Sequence, residues 1–348
     1  MVACKATYGR FMSTSHLQTL MTAQEYILAE LEKLKQPIKH QDIGDTPLDE
    51  AILARVLSKK FRKLKVDQDT IDFCKESIKI ALSENGPLSI GCVHGGVKLW
   101  RFDEYPEVDW SELFNMIYYA KWMRYIAEIY EHGVTLEYFS MDVVQQRLNN
   151  LPRSETDQYT QSFENIIDWM KQYLPENIRF THRRYGDVYK DLSEYDDELE
   201  TALKIVSDEL GGKLPVLTPE QKYMTELNVR VTSEQEEDSA WREKNELMHL
   251  AVERTKAMDD YVNDKRFIPA CPTPWPGVIA TGSTKHSFAK FWYAVGALEP
   301  NSDSFNQIVL TPKQLKATEF KWEDTILSGL TGKNFSKIRV VERAIKNE

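Results

Sequence analysis

The stretch Cys92-Val93-His94-Gly95-Gly96-Val97-Lys98-Leu99-Trp100-Arg101 leaves a short apolar run through an imidazole and two glycines, then offers an ammonium, an indole and a guanidinium. Those residue types at that spacing suit the binding of an anion. Gly95 and Gly96 would let backbone N–H groups come close to a ligand, and Lys98 or Arg101 would supply positive charge. The spacing matches neither the P-loop pattern GxxxxGK[ST] nor the dinucleotide pattern GxGxxG. A plain turn with solvated long side chains is the competing reading of the same residues.

Three further groups offer polar side chains at the ends of short apolar runs. Ser140-Met141-Asp142 is followed by Arg147, Asn149, Asn150 and Arg153. Ser140 or Asp142 would equally serve as a helix N-cap, which leaves the other free to bind. Thr181-His182-Arg183-Arg184-Tyr185-Gly186-Asp187 carries an arginine pair suited to phosphate or carboxylate. Gly282-Ser283-Thr284-Lys285-His286-Ser287 would hold an oxyanion, although a polar loop has the same composition. The candidate catalytic residues are Lys98, His94 and Asp142. Gly95, Gly96, Arg101, Ser140, Arg147, Asn150, Arg183 and Lys285 are the candidate substrate-binding residues. No GxSxG elbow or HExxH motif is present. His249, with Glu246 and Glu253 on the same helical stretch, reads as an exposed charged face rather than a metal site. Neither a metal nor a cofactor is expected.

The elements that must position these groups follow from hydrophobic periodicity. Residues 19–35, 48–63 and 68–83 read as amphipathic helices, and Asn85-Gly86-Pro87 ends them. Leu88–Val93, Val134–Phe139 and Ile178–Thr181 read as strands. Trp110–Tyr130 lies between the first two and is apolar almost all round, which predicts a buried helix. Asp109 and Glu112 form a capping-box pattern at its start. Glu155–Tyr173 is helical between the second and third strands. Strand, helix, strand, helix, strand predicts a Rossmann-like, mainly parallel α/β sheet, whose ligands sit beyond the carboxyl ends of the strands. Residues 1–86 form a helical N-terminal region, and 87–348 an α/β domain with a helical insertion at about 190–264 and a β-rich C-terminal segment. Within the insertion, 233–264 reads as one long polar helix. Pro269–Gly277 reads as rigid and turn-rich. Val278–Thr281, Phe291–Val295, Gln307–Leu310 and Ile338–Val341 read as strands, with Gly282–Ser287 joining the first pair at about hairpin length.

Composition narrows the function classes. The chain has 348 residues, 42% of them hydrophobic, and a net charge of -10. That is enough apolar material for a core, and the wrong sign for general capture of nucleic acid or an anionic membrane. Its four cysteines show neither metal-site nor disulfide-framework spacing, which suits a reducing compartment. The N-terminal 20 residues lack an uninterrupted apolar stretch, and no run approaches 18 apolar residues. A cytoplasmic protein with no membrane partner is expected. The sequence specifies no oligomeric state.

Thr273-Pro274-Trp275-Pro276-Gly277-Val278 resembles the TPWHGV segment of the isocyanide (isonitrile) synthase family of the pyoverdine/dityrosine-biosynthesis type. The block Trp110–Asp142 is similar to that family's long helix, aromatic-glycine turn and strand ending in a Ser-Asp motif. Pro276 stands where the family has histidine, and Ser140-Met141-Asp142 replaces a contiguous Ser-Asp-Gly. His94-Gly95-Gly96-Val97-Lys98 takes the place of a loop rich in lysine, proline and asparagine. The resemblance spans about half the chain. It implies a Rossmann-like transferase of secondary metabolism that joins an amino acid's amino group to a carbon from a sugar phosphate. Lys98, Arg101 or Arg183 would then hold the phosphate. Lys98 would form an imine if a desolvated site lowers its pKa.

The leading expectation is therefore a small-molecule biosynthetic enzyme with an anionic substrate, which the resemblance implies is phosphorylated. The alternative is a non-catalytic binding or interaction protein that uses the charged helix at 233–264 and the helical N-terminus as partner surfaces.

Overall fold

The computed structural model describes residues 21–216, 222, 226–231, 239–273, 277–282 and 290–344. Three helices lead, α1 (Ala23–Lys35), α2 (Leu48–Val56) and α3 (Gln68–Glu84). Asn85 ends α3 in the left-handed conformation, with φ of 49°. The chain then alternates through β1 (Leu88–His94), α4 (Trp110–Ala127), β2 (Val134–Ser140), α5 (Asp142–Leu148), α6 (Arg153–Met170) and β3 (Ile178–Arg184). After α7 (Leu192–Glu209) come α8 (Ser239–Ala251), α9 (Lys256–Val262), β4 (Phe267–Cys271) and β5 (Ile279–Ala280).

These strands form a parallel sheet of order β3-β2-β1-β4-β5. The expected mixed α/β architecture is what the chain adopts. β1 is central, with Leu88 opposite Val134 at one end and His94 opposite Ser140 at the other. Parallel strands buried on both faces are continuously apolar, and Ile90, Cys92 and Val93 of β1 are buried.

A second sheet of order β7-β6-β9-β8 follows, built from β6 (Val295–Asn301), β7 (Ser304–Leu310), β8 (Thr318–Asp324) and β9 (Lys337–Ala344). A short helix, α10 (Pro312–Lys316), joins β7 to β8. The reason α4 is apolar all round is now plain. It contacts β2 and β3 of the first sheet and β6 and β7 of the second. Gly296 on β6 permits that closeness, since a Cβ there would lie 2.3 Å from Trp110 Cβ.

The C-terminal expectations need correction. β4 runs through Pro269, inside the stretch read as turn-rich. The proline is tolerated because β5 joins only at Ala270 and Cys271. Phe291–Tyr293 is a 3-10 turn rather than a strand. β5 and β6 lie in different sheets, so no hairpin joins them. The long polar helix is two shorter ones, separated by a 3-10 turn at Val252–Arg254. No helix among the described residues is long and apolar enough to cross a membrane.

Candidate functional site

β1 has β2 on one side and β4 on the other, so the strand order reverses beside it. Ligands of open α/β sheets bind in the crevice outside the strand ends at such a switch point. A cavity of about 180 Å³ lies there, lined by His94 at the end of β1 and Gly95 after it, Asn149 after α5, His249 on α8, Cys271 at the end of β4 and Thr273 beyond it. Trp292 and Lys290 close another side, and Glu253 also faces it. Four of these side chains carry a buried polar atom with no partner among the described residues: His94 Nε2, Asn149 Oδ1, His249 Nε2 and Thr273 Oγ1. Buried polar atoms are normally paired, so four orphans around one cavity call for an explanation.

His94 is fully buried in an aromatic surround. Its ring stacks on Phe163 with centroids 4.7 Å apart, and Phe291 and Tyr138 stand at 5.5 and 5.9 Å. Burial, aided by the neighbouring His182, holds its pKa well below the ordinary histidine value. The two glycines are used sterically. A Cβ on Gly95 would lie 2.5 Å from the Trp292 indole. Gly96 has φ of +70°, and a Cβ there would lie 3.1 Å from the backbone nitrogen of Asp142.

Lys98 does not reach the cavity as a free amine. It is wholly buried, and its Nζ lies 2.9 Å from Asp109, 2.7 Å from Glu112 and 2.8 Å from Ser111 Oγ. It also donates to the carbonyls of Phe291 and Ala294, at 3.1 and 3.0 Å. Burial alone would lower its pKa, but the two carboxylates outweigh that and raise it. The expected imine-forming lysine is thus a protonated strut between the start of α4 and the segment carrying Trp292. Burial pushes Glu112 up to about 8 against the pull of Lys98. Burial also works against the Asp109 carboxylate, but Lys98 and the surrounding hydrogen bonds hold its pKa down. The two carboxyl groups are therefore unequal, Asp109 the stronger acid and Glu112 the weaker.

Asp142 is likewise engaged, 2.7 Å from Arg184 and accepting from the Gly186 backbone at 3.1 Å. Neither it nor Ser140 is the N-cap of α5, a place taken by Met141 without a side-chain bond. Ser140 is fully buried, and its Oγ lies 3.0 Å from His182 Nε2, whose Nδ1 meets Glu164 at 3.1 Å. That hydroxyl–imidazole–carboxylate chain lies between the sheet and α6. Arg147 pairs with Asp196 at 2.6 Å. Asn150 adopts φ of 55° and donates to the Arg230 carbonyl. Arg183 points to the opposite face of the sheet, 2.9 Å from Glu137 and over the Phe139 ring. Arg101 is exposed and lies over the Trp100 ring at 4.5 Å. Lys285 lies outside the described residues.

Of the expected residues, the structure brings His94 and Gly95 to the cavity and separates them from Lys98, Arg101 and Arg183. His249 is not an exposed helix residue but a half-buried one with an unpaired nitrogen on the cavity wall. Among the described residues no group of three or more His, Cys, Asp or Glu is placed to hold a metal ion. Lys290 and Trp292 are lining residues that the sequence reading did not single out as site residues, whereas Asn149 was named among the polar groups after the second strand and Thr273 in the TPWPGV segment. Their place after strands or helices that converge on β1 was the available signal.

Comparison with known proteins bears on the fold. The chain folds like the PvcA protein of Pseudomonas aeruginosa. The TM-score to that crystal structure is 0.56 at 12% sequence identity, over 85% of this chain and 100% of that one. No protein-family model and no curated protein matches the sequence. Of the TPWPGV segment, Thr273, Gly277 and Val278 are described, and Pro274, Trp275 and Pro276 lie outside the described residues.

Proposed function

We propose that this chain is a small-molecule biosynthetic enzyme of the isocyanide-synthase type, with its substrate in the cavity beside His94. The observation that carries the reading is the group of four unpartnered polar atoms on side chains around one cavity at the switch point of a parallel sheet. The shared fold with PvcA supports it. The finer reading is isonitrile formation from an amino acid and a sugar phosphate. In it, Lys290 supplies the positive charge for the anionic partner and His94 contacts the reacting group.

The test is incubation of the purified full-length chain with amino acids and pentose or hexose phosphates, followed by mass spectrometry of the products. An isonitrile product that is lost in His94→Phe supports the proposal. A saturable ligand without turnover would favour a non-catalytic binding protein. A thermal-shift screen with the same compounds separates these outcomes from no binding, because a ligand that prefers the folded state raises Tm.

A further inference from the structure

His94 and Asn149 have their free atoms fixed by neighbours. The Gly96 backbone N–H donates to His94 Nδ1 at 3.3 Å. A neutral imidazole that accepts at Nδ1 carries its hydrogen on Nε2, so the orphan Nε2 is a donor. Phe163 and Phe291 pack against the ring and keep it dry. Asn149 donates through Nδ2 to Gln145 Oε1 at 2.7 Å, which orients its amide. The orphan Oδ1 is therefore an acceptor. Both side chains line the same cavity, and neither carries charge.

We infer that His94 and Asn149 form a donor–acceptor pair that receives an uncharged group of the substrate, one offering a carbonyl-type acceptor and an N–H or O–H donor. This rests on the reading of the cavity as the substrate site. A carboxylate or phosphate oxygen at Asn149 Oδ1 would set lone pairs against lone pairs. An ammonium at His94 would set N–H against N–H. Either mismatch leaves buried polar groups unsatisfied, which is costly in a dry site. Two of the cationic side chains that the sequence offered for an anion are placed elsewhere. Lys98 is enclosed by carboxylates, and Arg183 lies across the sheet. Charged parts of the substrate are left to the side of the cavity bearing Lys290 and Glu253.

The test uses small probes on the full-length chain with its histidine rings isotopically labelled. 2-Pyrrolidone and dihydroxyacetone present a neutral donor and acceptor as an amide and as a hydroxycarbonyl. Acetate and inorganic phosphate are the anionic probes. At least one neutral probe is expected to shift the His94 ring resonances saturably. Its affinity should fall about tenfold or more in His94→Phe and in Asn149→Leu, the scale of one lost buried hydrogen bond. Unliganded melting curves and circular dichroism establish that each variant folds, and the wild-type comparison needs no variant. If only acetate or phosphate moves the His94 resonances, the cavity stands as a binding site and the neutral pair is overturned. If no probe does so, both readings fall.

Discussion

Lys98 Nζ lies 2.9 Å from Asp109 and within hydrogen-bond reach of the carbonyls of Phe291 and Ala294, with none of these groups open to solvent. A single ammonium thereby ties the loop after β1, the N-terminus of α4 and the segment that presents Trp292 to the cavity. Removing it strands Asp109 as a buried charge. Lys98→Met is expected to lower stability by ~3–5 kcal/mol, the scale for breaking a buried ion pair from one side. Urea unfolding measures this. Asp109→Asn in the Lys98→Met background should recover part of the loss, and a midpoint unmoved by Lys98→Met would show that the strut carries nothing.

Stability should peak at about pH 7, and the signs follow from three histidines and one glutamate. Burial depresses the folded pKa of His94 and His182, and that of His249 to about 4. As pH falls through about 6.5 the unfolded chain takes up protons that the folded chain refuses, so stability drops. Glu112 is raised to about 8. The folded chain keeps that proton while the unfolded one loses it near pH 4.5, so stability falls as pH rises toward 8, by at most ~1.4 kcal/mol per pH unit. Denaturant titrations from pH 5 to pH 9 would trace this dome. Glu112→Gln should flatten the fall between pH 7 and pH 8 and steepen the acid limb, because Glu112 opposes the histidines from about pH 4.5 upward.

The two glycines should respond differently to alanine. At Gly96 the backbone is left-handed and the new methyl meets the backbone of Asp142, so Gly96→Ala should cost ~1–3 kcal/mol. At Gly95 the methyl would lie 2.5 Å from the indole of Trp292, itself buried against Phe291 and Tyr293. Gly95→Ala should therefore displace the indole, altering Trp292 fluorescence and ligand affinity as well as stability. Fluorescence unchanged by Gly95→Ala would contradict this assignment.

Ser140, His182 and Glu164 have the connectivity of a hydrolytic triad, but Ser140 is fully buried under Gly96. A fluorophosphonate probe should leave Ser140 unlabelled in the native protein. Ser140→Ala should cost ~1–2 kcal/mol through its lost hydrogen bond. Rapid native labelling, read by peptide mass spectrometry, would show that the hydroxyl is reachable.

Much of the first sheet was legible because β1, α4, β2, α6 and β3 alternate in period and are separated by glycine or proline. The short strand β4 was hidden by Pro269, and β8 by its charges, since Thr318–Asp324 is an edge strand facing solvent. The site was legible in position but not in role. Asp109 and Glu112 were readable as a capping pair from their spacing. Nothing local revealed that Lys98 would be their partner, because that contact depends on how the loop after β1 folds back over α4. His249 looked exposed for the same reason, since its neighbours in sequence are charged while its neighbours in space line a cavity.

Ser89 of the central strand pairs with Phe267, far along the chain, while its other neighbour is Thr135 on β2. Contacts of such long sequence separation form slowly and late. During synthesis, β1, β2 and β3 can associate well before β4 exists, leaving one edge of β1 bare. The cavity has no far wall until Trp292 has emerged. A chain truncated before that point would carry most of the apolar core with an open strand edge, the condition that favours aggregation over function.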